Sequence, residues 1–318
     1  MERINGYLWI DDCERVLIDK DKNQHWVYIS GEEYFFKPMF FTGVYNELIG
    51  YYAAKILGID ACYYDLAVLN GECGYISKSL RGKDIKLVSG EELLGDYLSS
   101  VSDNGISAID VVSNMGIDKR SLDDIKEEME YEGYVVYCAD YVNNLEVIWQ
   151  ALEYRYGNSV NIKELMDQFI MMYIYVILMG DADKHCCNWM VIESDNSVRL
   201  APLFDNELIF TEISNTTKYS VGFKDDNWYF YTSLEEFFYI SSCEYCELFI
   251  EMFEKLKNDF NSIFERIKGQ IGVEIPVDVR EKTVKKFNIH CDKINWIITE
   301  YRKKGLKRVK FKSNVVNL

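Results

Sequence analysis

No stretch of this chain is apolar for long enough to cross a bilayer as a helix. Its longest apolar run, Phe169 to Met179, has eleven residues where about 20 are needed, so it reads as a buried helix. Met1 to Asp12 is polar and lacks the apolar core of a secretory signal. The nine cysteines are therefore expected as free thiols in a reducing compartment, cytoplasmic or reached by delivery into a host cell as an effector. Cys243 and Cys246 form an isolated C-x-x-C with no second pair to complete a four-ligand zinc site. Basic charge is scarce as well: 35 Lys and Arg stand against 52 Asp and Glu, for a net charge of −17. Such an acidic surface repels nucleic-acid phosphates, so no direct nucleic-acid binding is expected, and no membrane span. The exception is Arg302 to Lys312, seven basic residues without an acid, which reads as a solvated tail or end strand. There is no internal repeat and no low-complexity linker, and nothing in the chain fixes its oligomeric state.

What is present is ample material for a core: 48% hydrophobic and 15% aromatic residues over 318 positions, enough for one large or two modest domains. Residues 14 to 37 alternate as E-R-V-L-I-D, H-W-V-Y-I-S and Y-F-F-K-P between polar turns, the pattern of a three-stranded antiparallel meander. Lys37 ends the third strand, just before Pro38. In Y-N-E-L-I-G-Y-Y-A-A-K-I-L-G-I, Leu48, Tyr52 and Ile56 recur at helical spacing and Gly58 supplies the stop. Glu47 is expected in the first turn of that helix, where the dipole favours a carboxylate. Two further strands follow, A-C-Y-Y-D-L-A-V-L and Y-I-S-K-S-L, before a linker at Arg81 to Asp84. Beyond it the pattern turns helical and acidic, with Asn161 and Glu164 as a capping pair for the helix that ends at Gly180. These elements predict an α+β chain with two lobes: residues 1–82, small and β-rich, and residues 83–318, larger and mainly helical.

The chemistry concentrates in G-D-A-D-K-H-C-C-N-W, Gly180 to Trp189, and A-P-L-F-D-N, Ala201 to Asn206. Trp189 to Glu193 and Val198 to Ala201 read as hairpin arms joined at S-D-N-S. A hairpin with near-equal arms brings its ends together, so Asn188 and Asp205 are expected side by side. Paired amide and carboxylate oxygens suit Mg²⁺. Asp183 is then placed to orient or deprotonate a hydroxyl. His185, inside a tight loop, is expected as a hydrogen-bonded strut.

Taken in order, K-P, N-E-L-I-G-Y-Y-A-A-K-I-L-G-I, G-D-A-D-K-H-C-C-N and P-L-F-D-N resemble the HipA-like serine/threonine kinases. Among these, the short single-chain members of the proinflammatory (CtkA-like) type are the most similar in length and layout. The resemblance spans roughly residues 14 to 210 and implies a two-lobed protein-kinase-like fold, with ATP and Mg²⁺ as cofactors and a protein substrate. It implies that Lys37 holds the α- and β-phosphates, with Glu47 as its partner, and that Asp183 is the catalytic aspartate. Asn188 and Asp205 would hold the metal, and Lys184 would help neutralise the γ-phosphate. Backbone groups near Ser77 and Ser79 would receive adenine, and Ser30 is a candidate for self-phosphorylation. Two features depart from the pattern. The D-K-D-K-N turn in the first hairpin has no glycine, and Asp205 is followed by asparagine and glutamate where glycine is expected two positions on. Two alternatives stay open: a phosphatidylinositol-type lipid kinase, and a nucleotide-binding pseudokinase or toxin–antitoxin-like interaction module.

Overall fold

The computed structural model describes residues 2–11, 13, 15–19, 24–38, 43–103, 143–158, 160–181, 183–195, 197–210, 234, 237–238 and 241–304. The expected meander is present as β3 (Arg15–Asp19), β4 (Gln24–Ile29) and β5 (Glu32–Pro38), all antiparallel. The glycine-free turn between the first two lies at residues 20–23, outside the described residues. Helix α1 (Gly43–Leu57) follows, then β6 (Tyr64–Leu69) and β7 (Glu72–Lys78). Two short strands precede the meander, β1 (Arg3–Ile4) and β2 (Tyr7–Trp9), in a segment whose polar composition gave no strand pattern. They close through Asn5-Gly6, both at positive φ, a turn whose twist matches that of paired strands. β2 then runs parallel to β6. Among the described residues the sheet has seven strands in the order β1-β2-β6-β7-β5-β4-β3.

One face of this sheet carries a small cluster of Ile10, Val27, Ile29, Phe36, Ala67, Leu69 and Ile76. The other packs on α1 and joins the main core. Helix α1 is buried on most sides because Gly50 lets it approach the rest of the chain: a Cβ there would lie 2.7 Å from the Tyr175 hydroxyl and 2.8 Å from Asn206 Cβ. The helix begins at Gly43, so Glu47 falls in the second turn and is completely buried. Its carboxylate is not the exposed first-turn group that the helix dipole would explain.

After the linker the chain forms one more strand, β8 (Ile85–Ser89), where the sequence read as the start of the helical region. Ile85-Lys86-Leu87-Val88 pairs with β9 (Met190–Ser194), which forms the predicted hairpin with β10 (Ser197–Leu200). Among the described residues the second lobe also contains α2 (Gly90–Asp103), α3 (Leu145–Tyr156), α5 (Cys243–Asp259), α6 (Ser262–Ile271) and α7 (Val277–Lys304). The apolar helix itself, α4 (Ile162–Met179), is capped by Asn161, whose side chain accepts from Lys163 N and donates to Glu164 as the sequence suggests. Twelve of its residues are buried. Among the described residues no helix is long and apolar enough to cross a membrane. The described cysteines are free thiols, with Cys246 buried on α5. Residues 104–142 and most of the basic tail, 305–318, lie outside the described residues.

Candidate functional site

The site begins where α4 stops. Gly180 takes a left-handed conformation, φ 54°, and donates back to the carbonyls of Ile177 and Val176. Asp181 follows at once, its Oδ1 accepting from Asp183 N at 3.1 Å. Residues Cys186–Asn188 then form one turn of 3₁₀ helix, and His185 Nδ1 accepts from Cys187 N at 3.2 Å. His185 therefore caps the turn, the strut that the sequence suggested. The loop is held from outside by Asn143, whose amide donates to Lys184 O at 3.0 Å and accepts from the Trp189 indole at 3.1 Å. His290 on α7 contacts Ile177 O at 2.6 Å, behind Gly180. Burial holds its imidazole down at about 4, in the neutral form.

Asp183 and Asn188 are joined directly. The Asn188 amide donates to Asp183 O at 2.6 Å and lies 3.4 Å from Asp183 Oδ2. Burial pushes the Asp183 carboxyl up to about 6; His185 opposes the shift, while the charges of Asp205, Asp181 and Glu207 add to it. These influences place Asp183 in the electrostatic reach of the segment returning after β10.

That segment is fixed to the first lobe. Leu203 forms an isolated bridge with Ala61, and Leu203 N donates to Asp60 O. Asp205 sits at φ 56°, a left-handed conformation uncommon outside glycine. Its N–H donates to the Tyr64 hydroxyl at 2.9 Å, and its carbonyl accepts from Lys184 Nζ at 3.1 Å. Asn206 donates to Glu47 Oε2 twice, from its backbone at 3.0 Å and its side chain at 3.2 Å. Burial, reinforced by the charge on Asp205, raises the Glu47 carboxyl to about 8. Lys37 reaches across from β5 to Glu207 Oε2 at 2.7 Å and Asp205 Oδ1 at 3.7 Å. Burial would lower its ammonium, but Asp205 and Glu207 outweigh it and hold it above the ordinary lysine range.

Lys37 thus meets Asp205 directly, and the bonded pair of Asp183 and Asn188 lies within electrostatic reach of Asp205, so three separate segments converge. Three expectations need correction. Lys37 pairs with Glu207 and Asp205, and Glu47 is engaged instead by Asn206. Lys184 does not reach the cleft. Its ammonium is fully buried, 3.2 Å from Asp181, and donates to the carbonyls of Phe204 and Asp205. A lysine buried this deeply needs an anion and acceptors around it, and these hold it inward. Ser77 lies in the strand between β5 and β6, and Ser79 gives its N–H to Glu33 O at 3.0 Å and its hydroxyl to Glu33 Oε1 at 2.7 Å. Those two Ser79 donors are engaged within the first lobe. The sequence reading also left out Asp181, Asn143 and Glu207. For Glu207 the signal was there, in the carboxylate standing where the motif has glycine.

No protein-family model matches the chain, and no curated protein sequence matches it. Its fold does match solved structures. The Helicobacter pylori proinflammatory kinase CtkA superposes with a TM-score of 0.61 at 15% identity, over 94% of this chain and 100% of that one. A chain of the Shewanella oneidensis MR-1 toxin–antitoxin complex of HipA, HipB and operator DNA superposes with a TM-score of 0.51 at 13% identity. This second match covers 91% of this chain and 64% of the other, so the present chain spans under two thirds of its length. At these identities the likeness is one of fold: an α+β, kinase-like architecture.

Proposed function

We propose that this chain, folded as a kinase, transfers the γ-phosphoryl group of ATP to a serine or threonine hydroxyl of a protein, with Mg²⁺ as the metal. The observation that carries the reading is the approach of two pairs, Lys37 with Asp205 and Asp183 with Asn188, close enough for the Asp205 charge to act on Asp183, although the residues lie as much as 168 positions apart in sequence. A hard cation fits the residues present. Asp205 Oδ1 is buried and accepts no hydrogen bond, and the neighbouring donors are all oxygens. Asn188 and Asp205 would hold the ion, which when bound neutralises phosphate charge. Lys37 supplies a second positive charge that can move from Glu207 to a phosphate. Asp183, with its carboxyl near 6, is mostly ionised at neutral pH and accepts the proton of the attacking hydroxyl. Asn143 and His185 keep the loop in register.

Asp183→Asn and Asp205→Asn should each sharply reduce transfer of label from γ-labelled ATP to a generic protein acceptor or to the protein itself. Undiminished transfer in both variants would overturn the reading. An intact-mass spectrum after incubation with MgATP gives a second readout, since one added phosphate marks self-transfer and digestion locates it. Ser30, exposed in the β4–β5 turn, is one site to inspect. A second reading, nucleotide binding without transfer, draws on the grip of Glu207 on Lys37. Tight ATP binding by calorimetry with no transfer to any acceptor would favour it.

A further inference from the structure

We infer that Glu207 holds this site in a self-inhibited resting state: its carboxylate occupies the Lys37 ammonium, and a nucleotide must displace it before its phosphates are bound. This role rests on the proposed function in one respect, that Lys37 is the lysine a nucleotide phosphate needs. Lys37 Nζ lies 2.7 Å from Glu207 Oε2 against 3.7 Å from Asp205 Oδ1, so Glu207 is the nearer and hydrogen-bonded partner. Both side chains of the pair are about a quarter exposed. An entering anion can reach an ion pair so placed, whereas a fully buried pair is closed to it. Glycine at this position would offer no charge to compete.

Glu207 stays beside Lys37 because the backbone that carries it is tied on both sides. On one side, the Asn46 side chain of α1 donates to Glu207 O at 2.6 Å, and Asn206 N donates to Glu47 of the same helix at 3.0 Å. On the other, Phe210 N donates to the carbonyls of Met179 and Gly180, both at 3.1 Å, and its ring packs edge-on against Phe260 and Phe287. Release of Lys37 is therefore a rotation of one side chain and needs no movement of the segment. A tethered carboxylate is always beside the ammonium, whereas a nucleotide arrives from solution. The apparent affinity for nucleotide is then the intrinsic one reduced by the fraction of time that Lys37 is unpaired. The displaced carboxylate also remains near the incoming phosphates, where like charge weakens their binding further. Helix α1 thereby takes part in setting nucleotide affinity, with Asn46 as a positioning residue that acts through Glu207.

Calorimetry of the full chain with MgATP and with adenosine is the test. Glu207→Gln should bind MgATP about tenfold more tightly than wild type. Its affinity for adenosine should stay unchanged, because only the phosphates compete for Lys37. Asn46→Ala loosens the carboxylate without removing it, and should shift MgATP affinity in the same direction by a smaller factor. Equal or weaker MgATP binding by Glu207→Gln would overturn the self-inhibited state, and so would an equal gain for adenosine. If Glu207→Gln does not fold, Asn46→Ala decides the matter, and unchanged MgATP affinity in it overturns the proposal. The two failures are distinguishable. MgATP binding by wild type with no gain in the variants removes the self-inhibition alone, whereas no MgATP binding by any of the proteins removes the proposed function with it.

Discussion

Two lysines meet Asp205, one at its backbone carbonyl and one at its carboxylate, and they differ in what surrounds them. Lys184 lies in the interior with no exposed surface, ion-paired to Asp181 and bonded to the carbonyls of Phe204 and Asp205. Lys37 is about a quarter exposed, and its partners Glu207 and Asp205 are similarly open. The first lysine holds the backbone on which Asp205 is mounted. The second touches the carboxylate itself and can exchange its partners. In the interior, water cannot replace a lost contact, so Lys184 is committed to one arrangement. At the cleft water can, and Lys37 is free to exchange partners.

Lys184→Met should be the most damaging change to stability. It strips the partner from buried Asp181 and leaves two carbonyls without a donor, a loss of about 3–5 kcal/mol. Denaturant unfolding measures it. A variant as stable as wild type would erase the contrast between the two lysines. Lys37→Met should change stability by no more than about 1 kcal/mol, since its ion pairs are partly solvated, while transfer from ATP falls sharply.

Asp183→Asn should reduce turnover by about 10²–10⁴-fold, the usual worth of a positioned base, with little change in the melting temperature. In the wild type, turnover should drop as pH falls through about 6, where Asp183 takes up a proton. A pH–rate profile flat from 5 to 8 would remove Asp183 from the role of base.

Glu47 gives the finest test, because its carboxyl is raised to about 8 in the folded chain from an ordinary value of 4.5. Folding therefore favours its neutral form. The contribution is fully present below the unfolded value and is lost as pH rises toward the folded one, at up to about 1.4 kcal/mol per pH unit. Glu47→Gln should flatten the fall in stability between about pH 4.5 and 8. Urea titrations at several pH values check this, and an unchanged slope would show that another group sets it.

Much of the architecture can be read along the chain, because it depends on local pattern. The alternation in residues 14 to 37 gives β3, β4 and β5. The turn chemistry at Ser194 to Ser197 closes β9 on β10, bringing the strand after Asn188 back toward Asp205. The Asn161–Glu164 pair and Gly180 mark both ends of α4. Strands of two and three residues carry too little periodicity, so β1 and β2 escape. β8 was missed because its partner, β9, is a hundred positions away.

The sequence by itself determined the types and order of the candidate site residues: a lysine ending a strand, an aspartate and asparagine after a buried helix, and an aspartate after a hairpin. Those follow from side-chain chemistry and local spacing. Only the tertiary structure decided which lysine is buried, that Glu47 turns to Asn206, and that Glu207 pairs with Lys37. Each of those depends on how far a charge is removed from water and on which opposite charge arrives from a distant segment. Neither quantity is written in the neighbours along the chain.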